Sequence, residues 1–81
     1  MDPNEAKTRA QSLINVIETM YETKIVNLGD VIDRITEITV DEERILAICS
    51  TLNSWVAMNP EVQGREIIMP VEIVDKAAER V

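Results

Sequence analysis

Few residues in this sequence have the type and spacing to do chemistry. Histidine is absent, and cysteine occurs once, at Cys49. No imidazole can activate a serine or thiol, so acyl transfer would need a carboxylate or a lysine as base. The usual zinc frameworks of several Cys and His are missing as well. What remains is one aromatic–cation pair and two groups of carboxylates. Tyr21 and Lys24 stand three residues apart, about one turn of a helix. Tyr21 could stack on a ring while Lys24, joined by Arg65, meets a phosphate. That is the chemistry of a nucleotide-like anion held at a subunit interface. The bland explanation is that Lys24 snorkels to water from a helix end or pairs with an acid.

The carboxylates offer a different possibility. Asp30, Asp33, Glu37 and Asp41 recur at spacings of three and four, which lines them along one side of a helix. Such a ridge could imitate a phosphate backbone and occupy the nucleic-acid groove of a partner protein. It also has the simpler use of keeping the chain soluble, and Arg34 and Arg44 dilute its field. Glu18 and Glu22 form a second pair, one turn apart.

The segment Asn27-Leu28-Gly29-Asp30-Val31-Ile32 resembles the Glu-Leu-Gly-Asp segment of all-α nucleoside-triphosphate pyrophosphohydrolases. In that family carboxylates on neighbouring helices hold magnesium. The resemblance covers six of 81 residues. Asn27 stands where the family's first acid belongs, and Glu18 and Glu22 lie too close upstream to match its earlier Glu cluster. A pyrophosphohydrolase-like enzyme is therefore the third reading, and no metal or other cofactor is assigned. A helix-turn-helix is set aside too: its recognition helix would open Asp41-Glu42-Glu43 and then turn apolar, which suits neither a groove nor phosphates.

Charge narrows the partners. Eight basic residues against 15 acidic ones give a net charge of −7, which argues against direct contact with nucleic acid or an anionic membrane surface. No run approaches the roughly 18 apolar residues of a membrane span. The polar first residues do not read as a signal peptide, and a lone thiol suits a reducing compartment. The expected location is the cytoplasm.

The elements that must position these residues read as helices in one domain, residues 1–81. Asp2-Pro3-Asn4-Glu5 has the form of a capping box with proline at the first helical position. From Ala6 to Leu28 apolar residues then follow a 3.6-residue period, Leu13, Ile14, Ile17, Met20, Tyr21 and Ile25 among them. Asn27 or Gly29 can end this long first helix in a left-handed conformation. Asp30 can cap a short second helix from Val31 to about Ile38, although the β-branched run over residues 35–40 leaves a strand open. Thr39 and Glu42 form a second capping-box pattern, opening a central helix from about Val40 to Met58 that Asn59-Pro60 stops. Residues 60–64 read as a single turn or loop closed by Gly64, and 65–69 as extended. Pro70 opens a last helix with Val71, Val74, Ala78 and Val81 on one side.

The central helix is the unusual element. From Ile45 to Asn59 it carries no charged residue, including the faces a lone helix would show to water. A monomer of this size cannot cover it on every side. The chain is therefore expected to form an all-α bundle of about four helices that self-associates as a dimer or higher oligomer. Ile48, Leu52, Asn53, Ser54 and Trp55 are the expected seam. The expected function is non-enzymatic: a small acidic regulatory or inhibitory protein that binds another protein, of the kind found among accessory or phage-encoded antagonists of nucleic-acid machinery. Sequestering a small nucleotide-like anion is the alternative.

Overall fold

The N-terminal signals are obeyed at once in the computed structural model, which describes residues 1–80. Asp2 caps the first helix, α1 (Pro3–Tyr21), by accepting the Glu5 backbone N–H at 2.9 Å. That bond holds the Asp2 carboxyl below its ordinary range. Ala6, Ala10, Ile14 and Ile17 make the buried stripe of α1. The chain continues through α2 (Leu28–Ile38), α3 (Glu42–Met58), a 3₁₀ turn (Pro60–Val62) and α4 (Glu72–Glu79). Two short strands, β1 (Lys24–Ile25) and β2 (Glu66–Ile67), pair in parallel. Helix α3 packs against both α1 and α4, and α2 packs against both of those as well.

One aliphatic core joins these layers. Ile45, Ile48, Leu52 and Val56 of α3 meet Ile14 and Ile17 of α1, Val31 and Ile35 of α2, and Val74 of α4. Burying each such side chain contributes about 1.5–3 kcal/mol. Ala6, Ala10 and Ala77 are also fully enclosed; small side chains there let helix backbones approach.

The first helix is shorter than its apolar period implies. It ends at Tyr21 because Glu22 adopts a left-handed conformation, with φ 52°, and its N–H bonds back to Glu18 O. Thr23 follows, buried, with its hydroxyl donated to Val62 O at 3.0 Å. Ile25 keeps the buried position that the helical period foretells, but it does so from a strand. Lys24 accordingly alternates outward to water instead of lying in an apolar arc. A β-branched residue after a left-handed cap, with β2 available to pair, outweighs three further helical spacings.

The other boundaries shift less. Helix α2 starts at Leu28, so Asp30 lies in its first turn and is not its cap. Residues 35–38 are helical, and the chain becomes extended at Thr39. Asp41 caps α3 by accepting from Glu43 N and Arg44 N, while Thr39 Oγ1 accepts from Asp41 N. The cap is thus Asp41, two residues later than the Thr39 pattern suggests. Gly64 closes the 3₁₀ turn at φ 72°, and Pro70 and Val71 precede α4 as a separate turn. The expected inward place of Val81 lies outside the described residues.

The left-handed Glu22 gives a direct test. A non-glycine residue there carries a steric cost that glycine escapes. Glu22→Gly is expected to raise stability by about 0.5–1 kcal/mol in urea unfolding. An unchanged or lowered midpoint would mean that the Glu22 side chain offsets its backbone.

Candidate functional site

Backbone pairing brings the predicted anion-binding trio together by a route other than a shared helix. Lys24 N donates to Arg65 O at 2.8 Å, and Gly64 N donates to Tyr21 O at 3.0 Å. The trio therefore meets at the corner where β1 joins β2. Tyr21 packs half-buried against the core, while Lys24 and Arg65 are exposed. The corner also carries acid: Glu66 is the register partner of Lys24, and Glu18 Oε2 accepts the Ile25 N–H at 2.9 Å. None of the principal surface grooves is lined by Tyr21, Lys24 or Arg65. The corner presents two exposed cations outside those grooves.

The acidic ridge is partly engaged within the chain. Asp33 pairs with Lys7 at 3.5 Å, and Glu37 pairs with Arg34 at 3.4 Å. Arg34 Nε also donates to Asp75 at 2.7 Å, which raises the guanidinium pKa. Asp41 is the α3 cap. Of the four, Asp30 alone is without an ion pair or capping bond among the described residues. These surface pairs each contribute little energy, but they orient the carboxylates toward cations of the same chain.

The predicted seam divides. Ile48 and Leu52 are 0% and 1% exposed within one chain, so the core consumes them and nothing is left for a partner. Trp55 is half-buried on the α4 side of α3, beside exposed Ser54. Asn53 lies on the opposite flank, in a groove between α1 and α3 with Leu13, Val16, Met20 and Leu46. Val16, Met20 and Leu46 are about half exposed or more, at 56%, 60% and 46%. No charged residue lines that groove. The reason is legible in two stretches: Ala10–Ile17 and Ile45–Asn59 lack charge, and the fold sets them side by side. The Asn53 Oδ1 atom is buried there without a hydrogen-bond partner, a situation that costs about 1–3 kcal/mol.

Asn27 has a structural duty. Its amide Nδ2 donates to Met69 O and its Oδ1 accepts from Met69 N, both at 2.8 Å. One side chain thus extends the β1–β2 ladder by a rung. The position requires a donor and an acceptor together, which an ionised carboxylate cannot supply. The residue that breaks the pyrophosphohydrolase likeness is therefore the one this fold needs.

Comparison with known proteins finds no matching protein family, no matching curated protein and no matching solved structure.

The feature missed from sequence is a groove between α3 and α4. Trp55, Met58 and Asn59 form one wall, and Ile73, Lys76 and Arg80 stand on the other. Its signal was present: Lys76 and Arg80 are one turn apart, and Ile73 is a further turn back. It was hidden because mixed-sign charges on the last helix read as a solvated face.

Proposed function

We propose that the protein acts by binding and not by catalysis, as a small acidic regulatory or inhibitory protein that self-associates and engages a basic face of another protein. The observation that carries this reading is the segregation of charge. In a chain of net charge −7, the α1/α3 face around Val16, Met20, Leu46 and Ser50 has no charged residue, while carboxylates crowd α2, α4 and the start of α3. Two copies of a strongly acidic chain repel, so the surface by which they can meet is the one without charge of either sign. A basic partner has no reason to prefer that surface and would meet the side carrying Asp30, Asp33 and Glu37. A stable self-contact needs roughly 800 Å² from each copy, about a sixth of the chain's 4811 Å² surface.

The predicted outcome is a dimer in size-exclusion chromatography with light scattering at micromolar concentration. Val16→Glu sets two carboxylates into the seam and is expected to give a folded monomer. Ser54→Glu, on the α4 flank of α3, should leave the dimer in place. A wild-type monomer at these concentrations would sink the self-association. A dimer that survives Val16→Glu would move it to another face. The heteropartner is tested separately, by its release from immobilised protein between low and moderate salt.

A further inference from the structure

The groove between α3 and α4 inverts the electrostatics of the rest of the molecule. It has a volume of about 220 Å³, and no carboxylate lines it among the described residues. Lys76 and Arg80 stand on its α4 wall at i and i+4, so two like charges face the same space. Neither makes an ion pair among the described residues, whereas Lys7, Arg9 and Arg34 all do. Lys24, Arg44 and Arg65 line none of the principal grooves. Across from the cations lies Trp55, the chain's one tryptophan and half-buried against the core. Met58 and Ile73 add apolar surface. An indole wall opposite one ammonium and one guanidinium is a surface for a flat ring that ends in an anion.

We infer that this groove is a binding site for a small ring-bearing anion, its ring against Trp55 and its phosphate or carboxylate between Lys76 and Arg80. The volume sets the size. It falls below the roughly 300 Å³ at which pockets for drug-sized ligands begin, so a single ring with one anionic group fits and a dinucleotide does not. The inference is independent of self-association, which uses the other flank of α3. It also differs from the Tyr21, Lys24 and Arg65 corner, whose residues line none of the principal grooves.

Because Trp55 is the only tryptophan, its fluorescence reports on this groove alone. Phenyl phosphate and benzoate are the probes, with inorganic phosphate and benzyl alcohol as the two halves of the ligand. At least one ring anion is expected to shift Trp55 emission saturably, with a Kd of about 1 mM or tighter. Each half alone should bind about ten-fold more weakly or worse. A Lys76→Ala, Arg80→Ala double variant should weaken the ring anion by about ten-fold or more, and added salt should weaken it too. A Lys24→Ala, Arg65→Ala variant should respond as wild type. Both cations are exposed, so alanine keeps the helix, and circular dichroism checks this. Absence of a saturable response from both ring anions overturns the inference. So does an equal response to benzyl alcohol or to inorganic phosphate, or undiminished binding by the folded Lys76/Arg80 variant.

Discussion

Asn27→Ala is expected to lower the stability of the folded chain by about 2–6 kcal/mol, read as a lower urea midpoint at unchanged slope. Met69 is 1% exposed, and its backbone N–H and C=O both bond the Asn27 amide. Alanine leaves two backbone groups without partners in a site closed to water, each costing about 1–3 kcal/mol. The effect is large on the scale of the whole fold, since a chain of this length is stable by roughly 4–12 kcal/mol. Asn27→Asp separates hydrogen bonding from shape. The carboxylate can still accept from Met69 N, but its second oxygen then faces Met69 O, so the protonated acid is favoured and the folded pKa lies above the unfolded value of about 3.9. With the folded pKa raised, the protonated bond stabilises fully below the unfolded pKa and is lost as pH rises through the folded one. Compared with wild type at each pH, Asn27→Asp should be closest near pH 3 and furthest near pH 7. Wild-type midpoints for Asn27→Ala, or a pH-independent deficit for Asn27→Asp, would show that the rung is dispensable.

Sequence pattern reveals the helices of this fold because its helical faces are aliphatic and regularly spaced. Ile14 and Ile17, Ile45 and Ile48, Leu52 and Val56 occupy the positions that a 3.6-residue period assigns to a core. The strand pair was illegible for an equally physical reason. Two-residue strands are too short to show alternation, and Ile25 happens to fall in phase with the helix before it. Only the left-handed turn at Glu22 separates the two, and nothing in a glutamate announces that conformation. The β1–β2 pairing depends on residues some forty positions apart, Thr23 with Val62 and Asn27 with Met69. Contacts that distant leave no local trace. The same limit applies to the surface. That α3 carries an uncharged stretch can be read from its composition. Which side the chain itself covers depends on where α1 and α4 settle, and that decides between Leu52, which is buried, and Leu46, which is not.

Cys49 supplies the second large effect and offers a test of the proposed seam. It is 3% exposed behind the α1/α3 groove, and burial raises its thiol from the ordinary 9.0 to about 11. At pH 8 a shift of that size cuts the reactive thiolate about hundred-fold, and the enclosing side chains bar the reagent besides. Alkylation by iodoacetamide is therefore expected to run slower than in the urea-unfolded chain by about 1,000-fold or more, proceeding only through openings. The raised pKa also sets a pH window. Its stabilisation is complete below 9.0 and is lost as pH climbs through about 11, a decline of about 2–3 kcal/mol that Cys49→Ala should lack. Because Cys49 lies beside Val16, Leu46 and Asn53, a second copy seated on that face would close the thiol further by mass action. Labelling should then slow as protein concentration rises, and Val16→Glu should abolish that dependence. Concentration-independent labelling in a wild type that is dimeric by light scattering would place the contact away from α1 and α3, leaving Asn53 Oδ1 without the partner the seam could provide.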